Sequence, residues 1–148
     1  LANFQAIKFL VFQTPIIPEK LKELVILFSM DALINDFWHS KMARQFAKAK
    51  NLEIFTYKCY VNNPSWWLNL SSSYISAWEK LKLFNVQIVS NGKYTDEAVT
   101  RFSKCFQSKL ALETFRLTCW NVSMSPEQVQ YLYLEVSKLP NLKNLILN

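Results

Sequence analysis

One apolar pattern recurs along this chain and constrains its fold more than any other feature. The pattern is an apolar residue, two others, a second apolar residue, one other and a third apolar residue. Six copies fit it, beginning at Phe4, Leu21, Leu52, Trp78, Leu112 and Leu142. Successive copies start 17, 31, 26, 34 and 30 residues apart, so four of the five intervals are near thirty. A period of this length indicates a fold built from repeated units.

Each copy alternates apolar and other residues in the manner of a β-strand with one buried face. The predicted strands are 24–27, 54–58, 81–84, 114–118 and 144–147. We expect consecutive strands to be adjacent and parallel, because the segments between them are long enough for helical crossovers. In this phase Leu117 and Leu145 are buried, whereas Arg116 faces outward.

The segments between the copies have helix signals. Ser125-Pro126-Glu127-Gln128 is a capping box with proline at the first helical position. Thr95, followed by two acidic residues, begins another helix. The predicted buried helix faces are Trp38, Met42, Phe46 and Ala49; Trp67, Leu70, Tyr74 and Trp78; Ala98, Val99, Phe102, Cys105, Phe106 and Leu110; and Val129, Leu132, Val136 and Leu139.

Three segments together have the arrangement of a known repeat family. They are LALETFRLTCWN (110–121), LPNLKNLILN (139–148) and TDEAV (95–99), the last of which begins a helix. The chain resembles a leucine-rich-repeat solenoid of the long kind, similar to ribonuclease-inhibitor-like and F-box-associated repeats, over roughly residues 20–148. The resemblance implies an α/β fold in which a curved parallel sheet has helices on its convex face. It departs from the family at the asparagine of the strand-to-helix turn, a position occupied here by Ser29, Tyr60, Val86 and Trp120.

On this basis residues 1–148 form one leucine-rich-repeat domain, in which 1–20 are a divergent or cap-like first unit. We expect the chain to be part of a longer protein. The last copy, 142–147, would leave a strand edge and apolar core exposed, so we expect further chain or another subunit to cover that edge.

The charge balance favours an acidic partner. Seventeen Lys and Arg residues against 11 Asp and Glu give a formal net charge of +6. Lysine outnumbers arginine 14 to 3, and no run of basic residues forms an arm, which makes dedicated nucleic-acid binding the weaker expectation. A single glycine, Gly92, excludes a glycine-rich phosphate loop.

Three cysteines, Cys59, Cys105 and Cys119, are too widely spaced for a disulfide framework or a zinc site. We expect buried, reduced thiols, no metal or other cofactor, and an intracellular location. No apolar run approaches the length of a transmembrane helix. The one histidine, His39, has no catalytic partner at a meaningful spacing, and we expect it at the surface.

Outward-facing strand residues line the concave face of a solenoid, which is its usual binding surface. The predicted partner-binding residues on that face are Lys58, Lys80, Lys82, Phe84, Thr114 and Arg116. An aromatic ring among cations suits an acidic peptide or a stacked nucleotide, although lysines on a sheet also serve simply to keep it hydrated. Trp66 is either a contact residue or half-buried packing, and the latter is the simpler interpretation.

The function that follows is a non-enzymatic protein-interaction scaffold or accessory subunit of a larger assembly. One alternative is the substrate-recruiting arm of an F-box ubiquitin ligase, which requires an F-box segment before Leu1. Another is a ribonucleoprotein subunit, which predicts binding that weakens steeply with salt. No set of nucleophile, base or metal ligands indicates an enzyme.

Overall fold

The computed structural model describes residues 17–27 and 36–148, in which strands and helices alternate. The strands are β1 (Glu23–Leu27), β2 (Ile54–Tyr60), β3 (Leu83–Val89), β4 (Thr114–Trp120) and β5 (Asn144–Leu147). The helices are α1 (Asp36–Lys48), α2 (Pro64–Ile75), α3 (Asp96–Lys104) and α4 (Pro126–Ser137).

The five strands form one sheet in the order β1-β2-β3-β4-β5. Every neighbouring pair is parallel, so the predicted parallel arrangement of consecutive strands is confirmed. A sheet of parallel strands joined by helices makes the fold α/β. The predicted copy at Phe4 lies outside the described residues.

The strand register shows which positions are equivalent in successive units. Leu24, Phe55, Phe84, Phe115 and Leu145 are paired across the sheet. Three residues before each of them stands a leucine: Leu21, Leu52, Leu81, Leu112 and Leu142. The predicted fourth copy, which began at Trp78, was therefore wrong by three residues, because the true copy begins at Leu81.

Helices pack against the face of the sheet that the alternating apolar residues form. Phe55 contacts Trp78 and Tyr57 contacts Trp67, with ring centroids 4.7 and 6.0 Å apart. Phe106, just after α3, lies 4.9 Å from Phe115. The resulting core is rich in aromatic rings, which explains why the chain has so many of them.

The helix starts predicted from the sequence are confirmed. The Ser125 side chain accepts a hydrogen bond from the Gln128 backbone, and the Gln128 side chain accepts one from the Ser125 backbone N–H. Thr95 accepts from the Ala98 N–H at the start of α3. Asn63 does the same for Trp66 at the start of α2, a cap that the sequence analysis did not identify.

Most predicted core residues are buried, including Leu117, while Arg116 is exposed as expected. The prediction that Leu110 is buried was wrong, since this residue lies beyond the end of α3 and is exposed. The remaining exceptions are exposed Val129 and partly buried Leu70, Leu145, Cys105 and Cys119. Val129 lies on α4, the last helix, and Leu145 lies on β5, the last strand. No further unit of the described chain packs against them.

Candidate functional site

The second face of the sheet, opposite the helices, contains the side chains that alternate with the core residues. We call it the outer face. On the three central strands it consists of Ile54, Thr56, Lys58 and Tyr60; Leu83, Asn85, Gln87 and Val89; and Thr114, Arg116, Thr118 and Trp120. Polar, basic, aromatic and aliphatic side chains are mixed there, in contrast to the apolar core face.

Lys58 and Arg116 are the two cations of the central outer face. Register places Lys58 beside Gln87, with Thr118 on the far side of Gln87, and places Arg116 beside Asn85. Two strand spacings and two residues separate their Cα atoms, a distance of about 12 Å. Neither forms an ion pair with any described residue. Both charges are therefore available to an anionic group lying across β3.

Thr114 also lies on the outer face, but at the opposite end of β4 from Trp120. Its hydroxyl accepts a weak hydrogen bond, 3.4 Å long, from the Asn144 side chain. Thr114 and Arg116 are thus placed on the face where the sequence predicted them.

Phe84, Lys80 and Lys82 are not on the outer face, and the sequence prediction for them was wrong. Phe84 is fully buried among the core rings. Lys80 and Lys82 precede β3, where their ammonium groups contact Asn51 and Glu53 at 2.7 and 3.0 Å. The cause is the misplaced fourth copy, because a shift of three residues, an odd number, moves every side chain of a strand to the opposite face.

Lys82 belongs to a row of alternating charge along one end of the sheet, which we call the charge ladder. Its members occupy equivalent positions just before each strand: Lys22, Glu53, Lys82, Glu113 and Lys143. Glu53 lies 3.8 Å from Lys22, and Glu113 lies 2.7 Å from Lys143. The Lys82 ammonium holds the pKa of Glu53 below its usual value, and Lys143 does the same for Glu113.

At the other end of the outer face is an aromatic pair that the sequence analysis missed. Tyr60, Val89 and Trp120 are aligned at the ends of β2, β3 and β4. Trp120 is 55% exposed, the most exposed tryptophan among the described residues. Val89 is nearly covered although it is not part of the core cluster. Tyr60 and Trp120 stand about 10 Å apart on either side of it. The available signal was strand alternation, which places residues 116, 118 and 120 on one face.

We define the basic–aromatic patch as Lys58, Tyr60, Arg116 and Trp120. Tryptophan, tyrosine and arginine are enriched at the centres of protein interfaces, and the patch presents all three on one sheet face. Asn85 and Gln87 lie between the two strands that bear these residues. The Asn85 side-chain oxygen is buried and has no hydrogen-bond partner among the described residues.

His39 is buried on α1, which corrects the surface position expected from the sequence. Its Nδ1 lies 2.9 Å from the Tyr57 hydroxyl, and the Trp38 and Trp66 rings contact its edges. Burial lowers the pKa of His39 to about 4, so the imidazole is neutral near pH 7. Trp66 is half-buried in this cluster, so it has the packing role that was the simpler of its two predicted interpretations.

The cysteines are unsuited to nucleophilic chemistry. Burial raises the pKa of Cys105 to about 12 and the pKa of Cys59 well above its usual value. Cys119 has its pKa raised by the same cause. A thiol that stays protonated is a weak nucleophile.

No protein-family model matches the chain, and comparisons with curated proteins and with solved structures found no significant match. No group of three or more His, Cys, Asp or Glu side chains suited to a metal ion occurs in residues 17–27 and 36–148. Within the same ranges, none of the helices has both the length and the apolar character needed to cross a bilayer.

Proposed function

We propose that this chain is a non-enzymatic interaction scaffold of the leucine-rich-repeat type. Its partner is a protein segment containing acidic residues, which binds across β2, β3 and β4 on the outer face. The observation that supports this most is the basic–aromatic patch, which combines exposed Trp120 with two cations that form no ion pair within residues 17–27 and 36–148.

The repeated geometry supports a solenoid. Five equivalent leucines precede the strands, and equivalent hydrogen bonds join each unit to the next. A strand-helix unit of about thirty residues cannot bury its apolar face alone, whereas a stack of such units forms a continuous core. The rigid sheet then holds its outer side chains in fixed positions, which reduces the entropy lost on binding.

The chemistry of the patch favours an acidic peptide. Carboxylates can approach Lys58 and Arg116 without displacing an existing ion pair among the described residues. An apolar or aromatic side chain of the peptide can cover Trp120 and exclude water from the contact. Net charge of +6 adds long-range attraction that increases the rate of association with an acidic segment.

The test is a peptide-display selection against the 148-residue chain, followed by fluorescence anisotropy with the best peptides. We expect selected peptides to be enriched in Asp and Glu. Trp120→Ala should weaken their binding at least about tenfold, the effect of losing an interface hot spot. Arg116→Glu should weaken it by a similar factor through like-charge repulsion.

Two variants on the helix side serve as matched controls. Phe37→Ala removes an exposed aromatic ring from α1, and Arg44→Glu reverses an exposed charge on the same helix. Both should leave the dissociation constant within about twofold. Peptides that bind all four variants equally, or a selection without acidic enrichment, would contradict the proposal.

Single-stranded nucleic acid is the alternative ligand for the basic–aromatic patch, because bases stack on exposed tryptophan. A fluorescent RNA of twenty nucleotides, titrated at 50 and 200 mM salt, distinguishes the two classes. Tight RNA binding that falls steeply with salt, together with no acidic-peptide binding, would replace the scaffold proposal.

A further inference from the structure

β5 is the edge strand of the sheet in the described chain, and its sequence is symmetric. Residues 144–148 are Asn-Leu-Ile-Leu-Asn, the same in both directions about Ile146. Antiparallel pairing of two copies about Ile146 therefore matches like with like: Asn144 lies opposite Asn148, Leu145 opposite Leu147, and Ile146 opposite itself. A twofold interface needs a surface that is complementary to itself, and in this pairing apolar side chains meet apolar side chains and amides meet amides.

The hydrogen-bond pattern of β5 fits this pairing. Asn144 and Asn148 donate their N–H groups to Glu113 and Leu117, and the Asn148 carbonyl accepts from Cys119. In a parallel pair, alternate residues direct both polar groups to the same neighbour. Leu145 and Leu147 thus direct theirs to the free edge. These are the two residues that an antiparallel partner centred on Ile146 would use.

The side chains at this edge are apolar and incompletely covered. Leu145, Ile146 and Leu147 are all partly exposed, and Leu147 lines a small, mostly apolar cleft with Val129 of α4. Pairing about a twofold axis perpendicular to the sheet keeps both core faces on the same side. Leu145 of one copy would then meet Leu147 of the other on that side, beneath the two α4 helices.

Helix α4 differs from the inner helices at the position that packs on the following helix. On α2 this position is Ser72, which is buried and lines the groove between α2 and α3 with Arg101 and Cys105. Thirty-one residues later, on α3, stands the buried Ser103, and thirty residues after that, on α4, stands Tyr133, which is 52% exposed. A tyrosine leaves no room for a parallel helix packed as closely as α3 is on α2. It argues against another similar unit stacking on this edge.

Charge complementarity also favours the twofold pairing over head-to-tail stacking. If β1 of a second copy followed β5, the charge ladder would place Lys22 next to Lys143, two like charges in adjacent positions. In the antiparallel pairing the two Lys143 residues are offset by six positions, about 20 Å. That separation exceeds the screening length of about 8 Å at physiological salt.

We infer that two copies of this chain form a symmetric dimer through antiparallel β5 edges, giving a continuous ten-stranded sheet. The inference is independent of the proposed function, because it uses the edge of the sheet and not the basic–aromatic patch. In sedimentation velocity the 148-residue chain should have twice its mass of 17.4 kDa. Ile146→Lys should convert it to a folded monomer, whereas Thr56→Lys, on the outer face of an inner strand, should leave it dimeric.

Cysteine cross-linking tests the register and remains informative if Ile146→Lys fails to fold. Opposed residues that do not exchange hydrogen bonds have Cα atoms about 4.5 Å apart, within reach of a disulfide. Ile146→Cys should therefore form a covalent dimer with oxidised glutathione. Asn144→Cys places its two thiols about 13 Å apart and should not. A monomeric chain, growth into longer assemblies, or equal cross-linking of both variants would overturn the inference.

Discussion

The rings of Phe84 and Phe115 stack with centroids 5.2 Å apart, one above the other on neighbouring strands. Phe84 is the middle ring of a row that continues to Phe55, 6.0 Å away on the other side. The row fixes the phase of β3, because these three residues occupy equivalent positions in consecutive units.

The phase of β3 can be checked by comparing two neighbouring residues. Phe84→Ala should lower the free energy of unfolding by about 3–5 kcal/mol, since it leaves a cavity among packed rings. Leu83→Ala removes a partly exposed side chain from the outer face and should cost clearly less. Chemical denaturation of both variants measures the difference. A larger loss at Leu83 than at Phe84 would restore the strand phase predicted from the sequence.

The charge ladder predicts a salt-sensitive contribution of Glu53. Glu53→Lys places three lysines in consecutive positions and should lower the melting temperature at low salt. Glu53→Gln, which removes the charge but keeps the shape, should have a smaller effect. Because exposed charges are screened, the gap between the two variants should narrow in 1 M NaCl. A gap that is unchanged by salt would mean that repulsion along the ladder is not its cause.

Because His39 is buried, we expect the folded chain to lose stability in mild acid, at pH values above those at which carboxyl groups usually titrate. Its pKa of about 4 in the folded chain lies below the usual 6.5, so unfolding takes up a proton between these values. The contribution of His39 to stability is therefore fully present above about pH 6.5. It declines as the pH falls toward 4, by about 3 kcal/mol in total. Denaturation curves at pH 7.0 and 4.8 measure the decline.

The control for this pH dependence is His39→Gln, which cannot titrate in that range. It is less stable than the parent at pH 7, but its stability should change less between pH 7.0 and 4.8. If parent and variant lose the same amount over this interval, another group is responsible.

Lys109 occupies a position where the other units have apolar or small residues. Its equivalents are Ala49, Trp78 and Leu139, and each of the four accepts a hydrogen bond from the leucine three residues later. The Lys109 side chain is fully buried, and its ammonium donates to the Ser76 carbonyl at 3.2 Å. Burial lowers the pKa of this ammonium group.

We expect Lys109→Leu to be neutral or to stabilise the chain by up to about 2 kcal/mol, because an apolar side chain needs no desolvation of a charge. Lys109→Ala should destabilise it by leaving a cavity. Thermal unfolding of the two variants decides the point. A marked loss for Lys109→Leu would show that the Ser76 contact outweighs the burial of the charge.

Local signals in the sequence were sufficient for the helix starts and for the parallel strand order. Ser125 and Thr95 are caps because short polar side chains satisfy free backbone N–H groups, an effect that depends on few neighbours. The fourth copy was misplaced because Trp78, Leu81 and Leu83 match the same apolar pattern as Leu81, Phe84 and Val86. Only the spacing of the leucines distinguishes the two, with intervals of 31, 29, 31 and 30 from Leu21 to Leu142.

The candidate site was predicted only in part, and its errors have physical causes. Arg116 and Lys58 were placed correctly because their strands had the right phase. Trp120 was missed because it was assigned to a turn, whereas β4 continues to that residue. His39 was expected at the surface because it is polar, but aromatic rings from three elements surround it, an arrangement that no local pattern indicates.

Hydroxyl-radical footprinting of the chain, with and without a selected acidic peptide, tests the central claim most directly. Oxidation of the Trp120 and Tyr60 side chains should slow several-fold in the complex. Oxidation of Phe37, an exposed ring on α1, should be unchanged. Protection of Phe37 with no change at Trp120 would place the partner on the helix side and contradict the account.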